Sequence, residues 1–448
     1  MSKTWSVDEH LEDILRSIRP LDPIELKLLD AQGCVLVEDV IVPAALPPFD
    51  NSSMDGYAVR IADVQGASED FPAVLTVIGD IAAGSADLPE VAPGQAARIM
   101  TGAPLPPGAE AVVPVEWTDG GTGEGPADAM RSRSAAPEDA SGHVRVHRPV
   151  TPRQHVRAKG SDVKAGTVAL TAGTVLGPPQ VGLLASIGRG AVKVRPRPRV
   201  VVLSTGSELV PPGEPLGPGQ IHDSNSFVLT SAAQDAGAIA YRVGAVADDA
   251  ETLRSTLEDQ LIRADLVVTS GGVSVGAYDV VKEALSRVGT LGGGEDEEDR
   301  DGASDDVEFR RLAMQPGKPQ GFGLIGPDRT PILTLPGNPV SAYVSFELFV
   351  RPALRTLMGY EPVRRRSVSA RLETGSGAAL TSPEGKRQFL RGVYTPPQDD
   401  GETGTVRPVG GASSHLIAAL AQANALIDLP EKATEVVSGA EVTVIPLD

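Results

Sequence analysis

Between Val200 and Tyr360 the apolar pattern switches repeatedly between two periods, and this alternation restricts the fold more than any other feature of the chain. The strand-like runs VVVLS, IAYRVGAV, LVVTS and PILTLP alternate with helical stretches such as SFVLTSAAQDAG, DAETLRSTLEDQLIRA and SAYVSFELFVRPALRTLM. Such alternation is the pattern of a parallel α/β sheet domain, here spanning 196–360. Asp248 and Asp249 precede one of its helices and are placed to cap it. Pro352 is expected to kink or interrupt the last helix.

In an open parallel sheet the ligand crevice lies beyond the carboxyl ends of the strands. Three strand-like runs end in polar, glycine-bearing turns: LSTGSEL (Leu203 to Leu209), TSGGVSVGAYD (Thr269 to Asp279) and LPGNPVSA (Leu335 to Ala342). Glycines such as Gly271 and Gly272 let the backbone approach a bulky ligand, and the amides opening the next helices offer partial positive charge to an oxyanion. Thr205, Ser270, Ser274 and Ser341 add hydroxyl donors. Any one turn reads equally as a tight turn, whereas three on one edge point to a site. The carboxylates Glu208, Asp223, Asp248 and Asp279 conflict with an anionic ligand. Two like charges about 4 Å apart repel by roughly 4 kcal/mol at an effective dielectric of about 20. A divalent cation removes the conflict, and Mg2+, held by one or two carboxylates plus phosphate oxygens, is the economical choice. The PGKP turn in AMQPGKPQGFG then presents Lys318 on a constrained loop suited to an oxyanion.

The rest of the chain reads as β-rich modules. MSKTWSVDEHLEDILRSIRP is an amphipathic helix with Ser6 and Glu9 as a capping box and Val7, Leu11, Ile14, Leu15 and Ile18 on one face. It belongs with an elongated linker region, 1–48 and 147–195, which includes a strand region over Ala31 to Val42 and a short helix from about Pro178 to Ile187. Residues 49–146 form a small β-rich domain, VRPRPR (Val194 to Arg199) a linker, and 361–448 a C-terminal β domain. The 448 residues carry a formal net charge of -19, concentrated in Gly292 to Asp306 and Thr118 to Met130, which read as solvated insertions. Anionic surface of this kind disfavours nucleic acid as a partner. The single cysteine, Cys34, excludes a disulfide framework within the chain and reads as a buried thiol. The N-terminus has no signal-peptide apolar core, and no run approaches the roughly 18 apolar residues of a membrane span, so a soluble, cytoplasmic protein without a membrane partner is expected.

Seven motifs, DNSSMDGYAVR, RIMTGAPLPPGAEAVVPVE, GSDV, STGSEL, SGGVSVGAYD, PGKP and LPGNPVSA, span nearly the whole chain. With them the chain resembles the molybdopterin molybdenumtransferases, the molybdenum insertases that include the E domain of gephyrin. The resemblance implies a multidomain α/β plus β subunit of four parts. These are a molybdopterin-binding-like parallel α/β sheet domain, a small β-rich domain, the elongated linker region and a C-terminal β-barrel-like domain. It also implies a homodimer with its site formed between subunits, and Mg2+-dependent insertion of molybdenum from molybdate into adenylated molybdopterin with release of AMP. A molybdopterin adenylyltransferase and molybdoenzyme maturation proteins are the implied partners. The substrate would supply the thiolates that receive the metal, which accords with one cysteine.

Carried over residue by residue, Asp55, Thr101, Asp162, Glu208, Ser274 and Asp279 match the family's catalytic positions, and Asp248 joins Asp279 as a metal-site carboxylate. Lys318, Arg391 and Ser414, with Ser413 beside it, resemble the molybdate-contacting set. Gly271, Gly272, Pro336, Pro339 and Ser341 resemble the loops that hold the cofactor. His415 reads as a general base or an ordinary loop histidine. Two departures stand out. Gln315 occupies a position where the family often has lysine, with Arg387 as a possible compensating cation, and Ala277 replaces a residue that is acidic in many relatives. The competing readings are a molybdopterin adenylyltransferase and a non-catalytic molybdopterin-binding carrier or scaffold.

Overall fold

A seven-stranded mixed sheet organises the larger part of the chain. The computed structural model describes residues 3–123, 125, 127–128, 142–247, 249–272, 284–285, 307–375, 377–399 and 401–447. The strands of this sheet are β1 (Thr4–Trp5), β2 (Arg199–Thr205), β3 (Ile239–Val246), β4 (Leu266–Ser270), β5 (Glu308–Leu312), β6 (Pro319–Ile325) and β7 (Thr330–Leu335), in the order β1-β5-β6-β7-β4-β2-β3. The expected parallel core is present, since β2 pairs in parallel with β3 and β4, and β4 with β7. The sheet then continues through antiparallel β6 and β5, a hairpin that the periodicity did not disclose.

Both faces of the central strands β2, β4 and β7 are covered, so these read as continuous apolar runs. Along β2, Val200 and Val202 face a core with Leu229, Ala233, Val268, Leu335 and Phe349. Val201 and Leu203 face the opposite core, with Leu253, Leu257, Val267 and Ile332. The first face carries α1 (Val7–Ser17) and α2 (Asn225–Asp235), and the second α3 (Ala250–Leu261). The expected capping box starts α1, with Glu9 donating its backbone N–H to Ser6 and Ser6 its own to the Glu9 carboxylate. Asp249 caps α3 by accepting from the Thr252 backbone; Asp248 lies outside the described residues. The last helical run passes from α4 (Pro339–Ser345) through a π-type turn, Phe346–Val350, into α5 (Arg351–Met358). The widened turn sits immediately before Pro352, whose missing N–H and ring disturb the regular ladder.

The C-terminal strands β8 (Val368–Leu372), β9 (Arg387–Thr395), β10 (Gly404–Pro408), β11 (Ala425–Leu429) and β12 (Glu441–Pro446) pair in the order β9-β10-β8-β12-β11, and β11 pairs back onto β9. This closes a five-stranded barrel, which leaves no unpaired edge. Its interior holds Ala370, Leu372, Leu390, Val406, Ile427 and Val444. A two-residue strand, Met314–Gln315, adds in parallel to β9 and so fixes the start of the PGKP turn against the barrel.

By internal packing the chain divides into two units, one of residues 1–26, 31–37 and 193–448 and one of residues 27–30 and 38–192. The smaller unit is built on a five-stranded sheet ordered His143–Val146, Ala73–Ile81, Gln95–Ile99, Gly56–Val59 and Ala111–Pro114. Its two faces bury Tyr57, Val59, Leu75 and Val113 on one side and Ala58, Ile81, Ala97 and Val112 on the other. Among the described residues no helix is long and apolar enough to cross a membrane.

Three local expectations need correction. Val194 to Arg199 is not a free linker: Val194 and Arg195 pair with a strand at Val35–Leu36, and Arg197 donates to the carbonyls of Gly237 and Ala238. The strand region Ala31 to Val42 holds two separate short strands, Val35–Leu36 and Val40–Ile41, with the buried Cys34 in the turn ahead of them. Thr118 and Asp119 are buried rather than solvated. The Asp119 carboxylate accepts from the backbones of Gly121, Gly123 and Arg145 and thereby folds the start of that acidic segment. The other acidic stretch, Gly292 to Asp306, lies outside the described residues.

His10 on α1 is 1% exposed, edge-on to Phe349, and Arg310 points at its Nδ1 from 3.4 Å. Burial first, and then the Arg310 charge against the smaller opposing effect of Asp13, lower its pKa from 6.5 to about 3. The unfolded chain therefore takes up this proton first, and stability is lost as pH falls from 6.5 towards 3. Each pH unit below the unfolded value costs about 1.4 kcal/mol, so His10→Gln should lose about 2 kcal/mol less than the parent between pH 6.5 and 5. Urea denaturation across that range checks this, and parallel curves for the two proteins would refute it.

Candidate functional site

A cleft of about 750 Å3 opens on the larger unit where β2, β4 and β7 end. Because these strands are parallel, their carboxyl ends lie on one edge, and the turns that leave them bring Thr205, Glu208, Gly271, Gly272, Pro336 and Asn338 to one wall. Strand β6 runs the other way, so its beginning lies at the same edge and delivers Gln315, Gly317 and Lys318. The start of α2 contributes Asp223 and Asn225, the start of α4 Pro339 and Ser341, and the loop after β10 Ser414 and His415.

Beneath this surface, one buried carboxylate ties the elements together. Asp223 is 1% exposed and accepts from the Ser204 hydroxyl at 2.9 Å, the Ser226 backbone N–H at 3.1 Å and the Ser226 hydroxyl. Ser204 lies 3.1 Å from the hydroxyl of Ser270, so the ends of β2 and β4 and the first turn of α2 share one hydrogen-bonded set. Asn225 extends the set to the third loop by donating to the Gly337 carbonyl at 2.6 Å. The Thr205 hydroxyl and Asn225 Oδ1 are buried without a hydrogen-bond partner among the described residues, and both residues line the cleft. Such groups are costly unless a ligand or water satisfies them.

Two glycines are required here by close approach. Gly271 has φ +94°, and a Cβ on it would lie 2.5 Å from the Thr205 carbonyl oxygen. Gly317 has φ +101°, and a Cβ would meet Met314 at 2.9 Å and Ser345 at 3.0 Å. The Gly317 carbonyl accepts from Gln320, itself 1% exposed, and this bond helps to hold the turn that carries the exposed Lys318.

The structure thus gathers Glu208, Gly271, Gly272, Lys318, Pro336 and Pro339 into one cleft with Ser341 and Ser414. Arg391 does not line it. Its side chain is 1% exposed and donates to the carbonyls of Gly411 and Ser413, shaping the loop that carries Ser414, and burial lowers its pKa. The Ser414 carbonyl in turn accepts from the Val340 backbone at 3.0 Å, joining that loop to α4. Arg387 is not available as a compensating cation for Gln315, because it bonds Asp428 through two nitrogens at 2.7–2.8 Å and also pairs with Asp8 at 3.1 Å. In the smaller unit Asp55 accepts from both the backbone and the hydroxyl of Thr101, at 2.6 and 2.9 Å, while Asp162 is exposed on its turn. Ser274, Ala277, Asp279 and Asp248 lie outside the described residues.

Sequence reading passed over Asn225 and the roles of Ser204 and Ser226. The run HDSNS ahead of an apolar stretch is a helix-start signal that marked this corner. It also passed over Asp50, which in the smaller unit accepts from the Lys159 backbone at 2.7 Å and pairs with Arg153 at 2.9 Å.

To a cation the arrangement offers one suitable carboxylate among the described residues. Among the described residues no group of three or more acidic, histidine or cysteine side chains forms a metal cage. The Asp223 oxygens are taken up by hydroxyls and an amide, whereas Glu208 is exposed at the cleft. One carboxylate with room for ligand oxygens is the donor set Mg2+ uses beside phosphate.

Comparisons with known proteins agree along the whole chain. Residues 5–188 match the MoeA N-terminal region (domain I and II), residues 201–356 a probable molybdopterin binding domain, and residues 375–447 the MoeA C-terminal region (domain IV). The chain is 45% identical to molybdopterin molybdenumtransferase 2 of Mycobacterium tuberculosis over 439 residues, 98% of each chain. It is 34% identical to the molybdopterin molybdenumtransferase of Haemophilus influenzae over 94% of this chain and 93% of that one. In three dimensions it is similar to the crystal structure of the molybdopterin biosynthesis MoeA protein of Pyrococcus horikoshii, with a TM-score of 0.73, 30% identity and complete coverage of both chains.

The buried carboxylate is open to direct test. Asp223→Ala leaves two hydroxyls and an amide without their acceptor, and should lower stability by about 2–4 kcal/mol in urea denaturation. Ser224→Ala, at the adjacent cleft position, should change it by less than about 0.5 kcal/mol. Equal stabilities for the two variants would remove Asp223 as the tie between the strand ends.

Proposed function

The chain belongs to the molybdopterin molybdenumtransferase (MoeA) family, and on that premise we propose that it transfers molybdenum from molybdate to adenylated molybdopterin, releasing AMP in a Mg2+-dependent step. The observation that carries this reading is the convergence of three glycine-bearing turns and one exposed cation, Lys318, on a single sheet edge.

In this reading the Gly271–Gly272 turn and the loop from Pro336 to Ser341 hold the phosphates, with the Thr205 hydroxyl and Asn225 Oδ1, which lack a hydrogen-bond partner among the described residues, at hand for polar groups of the ligand. Lys318 and Ser414 hold molybdate, a small dianion that favours a cation and hydroxyl donors together. Arg391 acts by positioning Ser414 through the Gly411–Ser413 carbonyls. Glu208, joined by Asp248 and Asp279, would hold Mg2+, which when bound withdraws charge from the phosphoryl oxygens. An oxygen of water or molybdate bonds to the adenylate phosphorus as the P–O bond to the pterin phosphate breaks, and the pterin phosphate is the leaving group. AMP departs with that oxygen once its O–H or Mo–O bond is given up, the proton going to solvent or the metal to the dithiolene.

The dithiolene sulfurs come from the substrate; Cys34, buried and with its thiol pKa raised chiefly by that burial, is no candidate ligand. Asp55, Thr101, Asp162 and Ser274 complete the functional set in a homodimer whose site is formed between subunits. A molybdopterin adenylyltransferase would supply the substrate and molybdoenzyme maturation proteins would receive the product, all in the cytoplasm.

The reading is tested by AMP release from adenylated molybdopterin with Mg2+, with molybdate added or withheld. Release should depend on molybdate and be accompanied by metallated cofactor, while binding without turnover would refute catalysis. Lys318→Ala should raise the molybdate concentration for half-maximal release by about tenfold or more, the loss of one charge-assisted contact. An unchanged requirement would remove Lys318 from the molybdate site.

A further inference from the structure

A second pocket, of about 520 Å3, opens on the larger unit where α5 meets the barrel, and five arginines line it. Arg351 and Arg355 project from one face of α5 at helical spacing, and Arg364, Arg365 and Arg366 come from the segment leading into β8. It shares no lining residue with the cleft. Ser341 of the cleft and Arg351 of the pocket lie on the same helical run ten positions apart, about 15 Å along the axis. The pocket is therefore not a lobe of the site already described.

Five guanidinium groups in one concavity run against the chain's net charge of -19. Carboxylates neutralise part of the set: Arg365 bonds Glu347 at 2.5 Å and Arg364 bonds Asp8 at 2.8 Å. Arg351 is less well served. Its nearest carboxylates are the exposed Asp235 at 3.5 Å and Glu347 at 4.0 Å, and its Nε and Nη1 are buried without a hydrogen-bond partner among the described residues. Arg355 donates to the Pro362 carbonyl at 3.0 Å and lies over the Tyr360 ring at 4.4 Å. Among the described residues neither Arg355 nor Arg366 has a carboxylate ion-pair partner. Burial first, and then the adjacent Arg351 charge, lower the Arg355 pKa.

We propose that this pocket is a second anion site that takes a small molecule bearing a diphosphate group. Arg355 and Arg366, without a carboxylate partner among the described residues, and Arg351, with only the exposed Asp235 and a Glu347 shared with Arg365, call for two or three negative charges in a small volume, which a diphosphate supplies and a single carboxylate does not. The pocket volume suits a small molecule rather than a length of peptide. Tyr394 and Pro396 on its wall offer an apolar surface to whatever carries the phosphates.

The test is calorimetric titration of the full-length chain with sodium pyrophosphate at constant ionic strength, in a Lys318→Ala background that removes the cation of the cleft. One equivalent should depend on these arginines, weakened about tenfold or more by Arg355→Gln with Arg366→Gln, while any pyrophosphate held by the Gly271–Gly272 turn of the cleft is unaffected by them. Arg366→Gln alone, at an exposed position, should still weaken binding if the double variant does not fold. ADP binding more tightly than pyrophosphate at the same arginines would identify a nucleoside diphosphate, and equal binding would place the recognition on the diphosphate itself. Three results would overturn the proposal: heat no greater than sodium chloride of equal ionic strength gives, equal affinity in parent and arginine variants, or tighter binding of hexaglutamate at these arginines.

Discussion

The common direction of β2, β4 and β7 is the constraint on which the rest of the larger unit depends. Parallel neighbours end on one edge, so every turn leaving them must open there, and the edge collects backbone amides and side chains from positions far apart in the chain. The buried Asp223 converts this topological coincidence into a fixed surface, since its oxygens bind the end of β2 and the first turn of α2 at once. The antiparallel β6 belongs to the same logic. Its reversed direction is what brings Lys318 to the edge at which the parallel strands finish.

Much of this was legible because it is encoded locally. The capping box of α1, the cap at Asp249 and the glycine turns depend on residues within a few positions of one another, and the strand–helix alternation depends on side-chain period alone. What escaped depends on distant pairing. The β5–β6 hairpin is built from EFRRL, which lacks clean alternation, and PQGFGLI, whose proline and glycines read as a turn. Closure of the barrel by β9 and β11 was expected through the family resemblance alone, because it joins segments some forty residues apart that give no local sign of meeting. Arg391 illustrates the same limit: the resemblance sets it with Ser414 among the molybdate contacts, but its burial and carbonyl partners show that it holds the loop rather than lining the cleft.

The two sites proposed for anions differ in how a strongly acidic chain would attract them. Surface carboxylates repel them generally, so attraction has to be built into concavities where solvent is partly excluded and each positive charge counts for more. In the proposed reading the cleft would do this sparingly, with the exposed Lys318, hydroxyls and backbone amides, and the pocket beside the barrel with guanidinium groups. Arg387 shows the alternative fate of a cation in such a chain, its pKa raised chiefly by its bonds to Asp428 and its charge committed to structure.

A crystal structure of the full chain with AMP and Mg2+ tests the central claim most directly, because the claim concerns where phosphate sits. The phosphate should lie within hydrogen-bonding distance of the Gly271–Gly272 backbone or Ser341, with Glu208 facing the metal. AMP bound elsewhere, with these turns untouched, would contradict the assignment of the strand-end cleft as the nucleotide site.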